Sequence, residues 1–371
     1  MKTFRGIGLM SGTSLDGLDL AYCSFSENSD GSWNYEFLET ETVSYSKEWR
    51  DRLATVQTAS AEVYAQTDAE YGELLGSILN DFIHVRKIDP DFAASHGHTI
   101  FHQPEKKFTA QIGDGETMAA HLPCPLVTNF RSRDLALGGQ GAPLVPFGEK
   151  HLFPDCQLFL NLGGFANIAS RGIAYDVSPC NFALNQIVRE HDSQLEFDPD
   201  GKIARSGSCN QAVLTKLNAL PYYADPPPKS LGREWFEEHF LPILREEQTL
   251  SAPDLLSTLT HHIASQIERA VAATEPRNTE ILITGGGFKN KFLAELLKEK
   301  LQKFGITFYS GNTEQLVDYK EALIFAFLGL HTLLARTNIL ASATGAIRPS
   351  ISGSIHLPDL IKNSHPLLPF C

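Results

Sequence analysis

The sequence predicts an α/β protein built from two domains of similar plan, and three glycine-rich segments carry that prediction. In IGLMSGTSLDG (7–17), LFLNLGGFANIA (158–169) and ILITGGGFKN (281–290), an apolar strand runs into a glycine-rich turn. After the first two turns the apolar residues resume with a spacing of two, which is typical of a β-hairpin. After the third they repeat every four residues, which indicates a helix. Two similar hairpins far apart in a mixed chain predict two α/β domains.

Other segments predict long helices between these strands. Residues 60–86 form one, and residues 255–273 form another with an apolar stripe at helical spacing. Residues 319–335 are apolar on nearly all sides, which indicates a buried helix. The length of 371 residues also favours two cores over one, because single hydrophobic cores stop growing below this size.

The stretch TNFRSRDLALGGQGAPLVP (128–146) is rich in glycine and proline and is predicted to mark the domain boundary. It is either a hinge or a shaped binding loop. One domain then comprises residues 1–127 plus about 340–371, and the second comprises residues 128–339.

The composition argues against several classes of partner. The net charge of −13 and the lack of a long Lys/Arg run disfavour nucleic acid and anionic membranes. The sequence has no apolar run of about 18 residues, and its N-terminus MKTFRGIGLMSG does not resemble a signal peptide, so a cytoplasmic location is expected. Six scattered cysteines without a CxxC pair disfavour a zinc site or a disulfide framework.

Residues 8–23, GLMSGTSLDGLDLAYC, have the residue types that hold phosphate groups. Gly12 and Gly17 allow successive N–H groups to converge on an anion, and the hydroxyl side chains between them add donors. Asp16 and Asp19 are suited to orient Mg²⁺ through its waters. Neither a P-loop nor a dinucleotide fingerprint is present. An ordinary tight hairpin has the same composition, so this segment alone leaves both interpretations open.

The second hairpin, LNLGGFANI (160–168), places Gly163 and Gly164 at its turn. Together with TGGG at 284–287 it suggests one nucleotide held in a cleft between the domains. The two hairpins would hold the phosphates from opposite sides, and the TGGG backbone would lie beside the adenosine.

Asp176, in YDVSPCN, is the candidate catalytic base. A carboxylate near a γ-phosphate orients or deprotonates the attacking nucleophile. An Asx-turn aspartate is the structural alternative. The neighbouring Cys180 has no histidine close in sequence to activate it, so it is not predicted to be a nucleophile.

Three histidines, His96, His98 and His102, are spaced so that they face the same side of a strand. A metal site, hydrogen bonds to sugar hydroxyls and a structural role all remain open for them. Neutral imidazoles suit each of these roles.

Three charged residues are candidates for substrate contacts. Glu321 lies on the otherwise apolar helix, where a carboxylate is costly unless it is paired or binds a ligand. Arg131 and Arg133 suit a substrate carboxylate or phosphate, and hinge salt bridges are the alternative.

With these residues in view, the chain resembles the anhydro-N-acetylmuramic acid kinase family of the actin–hexokinase–Hsp70 ATPase superfamily. The resemblance implies two ribonuclease-H-like/actin-like ATPase domains with a nucleotide cleft between them. The shared motifs span nearly the whole chain: MSGTSLDG (10–17), SHGHT (95–99), TNFRSRDLALGGQGAPLVP (128–146), LNLGGFANI (160–168), DPDGKIARSG (198–207), PPKSLGREWF (227–236), TGGGFKN (284–290), DYKEALIFAFL (318–328) and SATGA (342–346).

The resemblance also implies a reaction. Such enzymes open the 1,6-anhydro ring of 1,6-anhydro-N-acetylmuramic acid with water and phosphorylate O6 with ATP and Mg²⁺, giving N-acetylmuramic acid 6-phosphate and ADP in cell-wall recycling. By this resemblance Asp176 is the base, and the sugar is held by His96, Arg131, Asn181 and Glu321. The sugar and ATP are the expected partners, and a homodimer is compatible with the sequence. The implied ATP-binding positions are Gly12, Thr13, Ser14, Leu15, Asp16, Gly17, Leu18, Asp19, Gly163, Gly164, Gly285, Gly286 and Gly287.

One segment departs from the family pattern. Where the family carries Asp-Thr-Gly-Pro-Gly-Asn, this chain has Ser178 and Cys180 in place of the two glycines. If those glycines permit positive φ or close contact with the sugar, the new side chains are expected to narrow the pocket or move the loop. This change keeps open the alternative of a nucleotide-switched binding protein without turnover. A conventional sugar kinase that adds no water is a second alternative.

Overall fold

The computed structural model describes residues 2–12, 15, 17–170, 173–227, 229–246, 250–276 and 278–358. The chain divides into two compact units. The first unit is Met1–Pro154 with Tyr319–Cys371, and the second unit is Asp155–Asp318.

The strands, in chain order, are β1 (Lys2–Ser11), β2 (Gly17–Glu27), β3 (Trp33–Ser44), β4 (Phe92–Ser95), β5 (His98–Gln103), β6 (Phe108–Ile112), β7 (Leu126–Thr128), β8 (Cys156–Leu162), β9 (Phe165–Ser170), β10 (Ile173–Pro179), β11 (Glu280–Thr284), β12 (Thr307–Phe308) and β13 (Ser354–His356).

The α-helices, in chain order, are α1 (Lys47–Thr55), α2 (Ala61–Arg86), α3 (Gly115–Ala119), α4 (Ser132–Ala136), α5 (Val145–Leu152), α6 (Asn181–His191), α7 (Lys202–Ser206), α8 (Gln211–Asn218), α9 (Arg233–Trp235), α10 (Leu241–Glu246), α11 (Ala252–Ala273), α12 (Lys291–Gln302), α13 (Glu314–Leu333) and α14 (Ala341–Thr344). Within the described ranges, none of these helices has the length and apolarity needed to cross a lipid bilayer.

The first unit is built on a sheet with the strand order β13-β7-β4-β1-β2-β3. Strands β1, β2 and β3 form an antiparallel meander, and β4 continues the sheet parallel to β1. Side chains alternate between the two faces of a strand. Ile7 and Leu9 of β1 therefore join a core with Leu75 and Leu79 of α2. Gly8, between them, faces α13.

The second unit repeats this arrangement with the strand order β10-β9-β8-β11-β12. Strands β8, β9 and β10 form an antiparallel meander, and β11 runs parallel to β8. The core of this unit lies between the sheet and helices that include α11 and α12. The prediction of two α/β domains of similar plan is confirmed, because each unit begins with a glycine-turn hairpin followed by a parallel strand.

The predicted helices are also confirmed. Residues 61–86 form α2 with Ser60 as its N-cap, residues 255–273 lie in α11, and residues 319–335 lie largely in α13. Helix α13 is buried as predicted, since Ala322 through Leu330 are almost all inaccessible to solvent. It packs so closely on β1 that a Cβ atom at Gly8 would overlap the carbonyl of Ala322.

The domain boundaries lie elsewhere than the sequence suggested. Residues 128–154 and 319–339 belong to the first unit, so the divisions fall at Pro154 and Asp318 rather than near residues 127 and 339. The physical reason is packing. The glycine-rich loop folds around Asp134, which is fully buried, and α13 covers the sheet of the first unit. The segment 128–146 is therefore a shaped loop inside one unit rather than a hinge.

Candidate active site

The first glycine turn joins β1 to β2. Within it, the N–H of Leu15 donates to the carbonyl of Gly12 at 3.3 Å. Three of the predicted positions, Thr13, Ser14 and Asp16, lie outside the described residues. Gly17 and Leu18 are buried at the start of β2, where a Cβ at Gly17 would press on the Val43 carbonyl at 2.7 Å. These two residues shape the hairpin itself.

Asp19 follows on β2 and is partly buried. The hydroxyl of Thr42 on β3 donates to its Oδ1 atom at 2.6 Å. This bond holds the carboxylate in one orientation beside the turn. A carboxylate so held has the oxygen donor type that Mg²⁺ prefers.

The second glycine turn joins β8 to β9 and directs its carbonyls toward the start of α6. The Gly163 carbonyl accepts from Asn181 N–H at 3.1 Å, and the Gly164 carbonyl accepts from Cys180 and Phe182 N–H at 2.8 and 3.0 Å. Among the described residues, neither glycine N–H has an acceptor. A Cβ at either glycine would meet no atom closer than 3.6 Å. The turn thus presents two unpaired N–H groups with open space beside them.

The third glycine turn follows β11, and its members divide into two kinds. Cβ atoms at Gly285 and Gly287 would overlap the end of β8, with Asn161 Oδ1 nearest to the former and Leu162 2.8 Å from the latter. Gly285 also has φ +83°, a conformation that favours glycine. A Cβ at Gly286 would come no closer than 3.8 Å to any atom, and this residue is exposed. Two of these glycines are therefore needed for packing, and the central one is not.

Asn181 connects the second and third glycine turns. Its Nδ2 atom donates to the Leu162 carbonyl at the end of β8 at 2.9 Å. The same side chain lies against Gly287, where a Cβ would be 3.0 Å from Asn181 Oδ1. The structure therefore brings together the predicted Asn181, Gly163–Gly164 and Gly285–Gly287 within the second unit.

Asp176 lies on β10 at a bulge in its pairing with β9. Its Oδ2 atom accepts from the Leu231 N–H at 2.9 Å, and its backbone carbonyl accepts from the Tyr222 hydroxyl at 2.6 Å. Burial raises the pKa of this carboxyl, and the Leu231 hydrogen bond partly opposes the shift. A carboxylate with a raised pKa is a stronger base, and this one is held in a fixed orientation.

Lys229 and Leu231, which hold Asp176, come from a segment to which the sequence analysis assigned no role. Lys229 accepts at its carbonyl from Asp176 N–H at 3.2 Å and donates from Nζ to the Tyr222 carbonyl at 2.8 Å. Lys229 Nζ also lies 4.6 Å from the centre of the Tyr222 ring. The signal for this loop was the family motif PPKSLGREWF, which contains Lys229 and Leu231.

Ser178 and Cys180, which stand where the family has glycines, point into the interior of the second unit. Both are fully buried, and Cys180 belongs to the hydrophobic core. Cys180 has φ −125°, so it does not have the positive φ that favours glycine. The side chains of Ser178 and Cys180 therefore pack inside the unit, and the expectation that they narrow the pocket or move the loop stays a prediction. Burial also raises the pKa of the Cys180 thiol to about 12, which agrees with its rejection as a nucleophile.

His96 and Arg131 form a pair in the first unit. Arg131 donates from Nε and Nη2 to His96 Nε2 at 3.0 and 2.8 Å, and from Nη1 to the Gly141 carbonyl at 2.8 Å. His96 Nδ1 lies 2.9 Å from the Gly97 carbonyl, so it carries the ring proton. Burial, then the Arg131 charge, lowers the pKa of His96 to about 3. Both ring nitrogens are thus engaged, and His96 holds Arg131 in place.

Arg131 and Glu321 influence each other electrostatically. Burial lowers the pKa of Arg131 to about 10, and the charge of Glu321 opposes this shift. Burial raises the pKa of Glu321, opposed by the charges of Lys320 and Arg131. Among the described residues, Glu321 has no hydrogen-bond or ion-pair partner. Its carboxylate therefore remains available to a ligand.

A buried ion pair lies next to Glu321 in sequence. Lys320 Nζ on α13 is 2.8 Å from Glu149 Oε1 on α5, and both side chains are less than one-tenth exposed. Sequence reasoning missed this pair. Because the two residues are far apart in the chain, no local sequence pattern predicts their contact.

The three predicted histidines do not face one side of a strand. The chain turns at Gly97, with φ +71°, and β5 is bulged between Thr99 and Phe101. His98 is consequently buried with its Nδ1 2.9 Å from Ser11 Oγ, while His102 is exposed. In the described part of the chain, no group of three His, Cys, Asp or Glu residues is placed to hold a metal ion.

The chain is similar to known proteins along most of its length. A family model described as "Anhydro-N-acetylmuramic acid kinase" matches residues 4–358. Proteins of that name from Xanthomonas oryzae pv. oryzae and Acidithiobacillus ferrooxidans are 34% and 35% identical, over 94% and 96% of this chain and 96% and 94% of their own lengths. Among solved structures, a 2-hydroxyisocaproyl-CoA dehydratase activator from Clostridium difficile with bound ADPNP gives a TM-score of 0.42 at 11% identity, covering 87% of this chain and 94% of its own. The ROK hexokinase from Thermus thermophilus gives 0.39 at 11% identity, with 88% and 99% covered.

Proposed function

The chain belongs to the anhydro-N-acetylmuramic acid kinase family, and from its geometry we propose how its own residues perform that family's reaction. It is an ATP-dependent kinase that acts in cell-wall recycling. The single observation that carries the proposed mechanism is the orientation of Asp176, whose carboxylate has one oxygen bonded to Leu231 and a raised pKa.

Asp176 is the general base of the proposed reaction. It takes a proton from a water molecule, and the oxygen of that water bonds to the anomeric carbon of the anhydro-sugar. The bond from this carbon to O6 breaks, and O6 keeps the electron pair. O6 then attacks the γ-phosphorus of ATP, and ADP leaves. One carboxylate therefore serves both steps, because the released O6 is already a nucleophile.

Glu321 and Arg131 are proposed to bind the sugar. Glu321 offers an unpartnered carboxylate to the sugar hydroxyls, and Arg131 is a cation suited to the carboxylate of muramic acid. His96 contributes by holding the guanidinium, since its own nitrogens are engaged. Asn181 is proposed to act mainly by joining the glycine turns, because its amide is bonded to Leu162.

The ATP-binding positions are proposed to follow the division among the glycines. Gly163, Gly164 and Gly286 have open space beside their Cα atoms and are assigned to nucleotide contacts. Gly285 and Gly287 shape the turn by packing on β8. Gly12, Leu15 and Gly17 to Asp19, the described part of the first glycine turn, are assigned to the other phosphate-binding turn. The carboxylate of Asp19 is suited to bind Mg²⁺, either directly or through a water molecule. The ion would neutralise negative charge on the phosphates.

Isotope labelling distinguishes this mechanism from that of a conventional sugar kinase. The enzyme is incubated with ATP, Mg²⁺ and 1,6-anhydro-N-acetylmuramic acid in ¹⁸O-water for a single turnover. Mass spectrometry of the promptly reduced product should find one solvent oxygen on the anomeric carbon and none in the phosphate. A phosphorylated product without that oxygen would exclude water addition. Lack of sugar-dependent ADP release would instead favour a binding protein without turnover.

We also propose that the kinase works in the cytoplasm, where ATP is available. Fractionation of cells that express the full chain tests this location. Recovery of the kinase activity with the periplasmic fraction would contradict it.

A further inference from the structure

A polar cavity of about 330 Å³ opens in the first unit beside His96. It has the size of the smaller ligand pockets found in proteins, which begin at about 300 Å³. Its walls come from α2, β6, the loop after β6, the end of β7 and β13, so regular elements on several sides hold it open. Among the described residues, no member of the three glycine turns lines it.

The polar side chains in the wall are each anchored by one atom. Asp68 Oδ1 accepts from Gly113 N–H at 2.7 Å. Gln111 Nε2 donates to the Thr109 hydroxyl at 2.8 Å, and Asn129 Oδ1 accepts from the Ser132 hydroxyl at 2.6 Å. Side chains fixed in this way have already lost their rotational freedom before a ligand arrives.

The other polar atom of each anchored side chain has no partner among the described residues. These atoms are Asp68 Oδ2, Gln111 Oε1 and Asn129 Nδ2, and the hydroxyl of Ser354 is unpartnered in the same sense. The wall therefore offers both donors and acceptors, which matches a ligand with hydroxyl and amide groups.

The negative charge of the cavity wall excludes an anionic group of a ligand. Asp68 and Asp114 both line the cavity, and no Lys or Arg side chain does so among the described residues. The ring of His356 in the wall is bonded to the Thr128 hydroxyl at 2.8 Å and to Glu116 at 2.7 Å, so it offers no open polar atom. Like charges in a confined site repel, so a carboxylate is disfavoured there.

We propose that this cavity binds the uncharged face of the anhydro-sugar, its hydroxyl and acetamido groups, and excludes the carboxylate of muramic acid. The inference rests on the proposed function and deepens it, because it assigns specificity to Asp68, Gln111, Asn129 and Ser354. Arg131 is not in the cavity wall and donates to His96, so it is the cation left for the carboxylate.

Two conservative variants of the full chain test the cavity. Asp68→Asn keeps an oxygen for Gly113 N–H and removes the charge, and Ser354→Ala removes only the unpartnered hydroxyl. Asp81→Asn is the matched control, since Asp81 is exposed on the same helix as Asp68 and loses the same charge. Calorimetric titration then measures the affinity for 1,6-anhydro-N-acetylmuramic acid and for 1,6-anhydro-N-acetylglucosamine, which lacks the carboxylate.

Asp68→Asn or Ser354→Ala should weaken the binding of both sugars about two- to tenfold, the worth of one hydrogen bond. The affinity for ATP and the melting temperature should stay at wild-type values, as should all properties of Asp81→Asn. Unchanged affinity in both variants would overturn the proposal while leaving the kinase function intact. Tighter binding of the muramic sugar alone in Asp68→Asn would also overturn it, because the carboxylate would then lie in the cavity. Failure of the wild-type protein to bind either sugar would refute the proposed function and this assignment together.

Discussion

Arg131 donates two hydrogen bonds, from Nε and Nη2, to a single atom of His96, the ring nitrogen Nε2. That nitrogen can accept only as a neutral imidazole, and the pKa of about 3 keeps it neutral at physiological pH. The tautomer is set by the Gly97 carbonyl, which lies 2.9 Å from Nδ1. His96 thus acts as a fixed hydrogen-bond acceptor that orients the buried guanidinium group of Arg131.

Replacing His96 with Leu removes this acceptor and should weaken sugar binding. Hydrogen bonds to charged groups are worth about 1.5–3 kcal/mol, so the KM for the sugar should rise about 10- to 100-fold. The KM for ATP should change little. His96→Gln, which supplies an amide oxygen, should recover part of the loss. Steady-state kinetics with each substrate varied gives both values, and equal effects of the two variants would argue against the acceptor role.

Gly286 and Gly287 of the third turn provide a matched pair of alanine variants. Gly287→Ala should lower the melting temperature, because its Cβ would press on Leu162, and overpacking costs about 1–3 kcal/mol. Gly286→Ala should leave the melting temperature unchanged and raise the KM for ATP, because its Cβ enters the space assigned to nucleotide. Calorimetric melting and ATP kinetics of both variants check this. A normal KM for ATP in Gly286→Ala would contradict that assignment.

Asp176→Asn should slow the reaction and stabilise the fold. Loss of a general base lowers kcat by about 10²–10⁴-fold. Burial raises the pKa of the folded Asp176 above its usual value, so its ionised form opposes folding at pH 7. This penalty disappears as the pH falls through the raised pKa. The variant should therefore resist urea better than wild type at pH 7, with a smaller difference at pH 4.5. Greater stability of the wild type at pH 7 would contradict the burial argument.

The buried pair of Lys320 and Glu149 should respond very differently to single and double replacement. Removing one partner, as in Lys320→Met, leaves the buried carboxylate of Glu149 without its ammonium partner and should cost about 3–5 kcal/mol of unfolding free energy. Glu149→Leu combined with Lys320→Met should recover most of it, since apolar replacements of buried pairs are often neutral. Denaturant unfolding of the two single variants and the double variant measures the coupling. Additive losses would show that the pair does not act as a unit.

Local sequence patterns were sufficient to predict much of the secondary structure and several candidate site residues. Alternation and glycine turns predicted the hairpins β1–β2 and β8–β9, and four-residue spacing predicted α12. Glu321 stands within the long family motif DYKEALIFAFL, whereas Asp176 lies in YDVSPCN, where the chain keeps the aspartate of the family's Asp-Thr-Gly-Pro-Gly-Asn segment. Each of these signals lies within a short stretch of chain, where side-chain period reports directly on secondary structure.

Contacts between distant parts of the chain decided the rest. The division at Pro154 and Asp318 depends on how α13 packs against Gly8, and the pairing of Lys320 with Glu149 spans 171 positions. Packing also distinguishes Gly286, where a Cβ atom would have open space, from Gly285 and Gly287, where it would overlap other atoms. It also places the Cys180 side chain in the core.

The sequence by itself therefore determined the two-domain plan and the family, and it named Asp176 as the candidate catalytic carboxylate. The tertiary structure alone decided which polar atoms are already engaged, as in His96, and which remain open, as in Glu321. The physical reason is that a residue's type states what it is able to bind, whereas its availability depends on neighbours that folding brings from elsewhere in the chain.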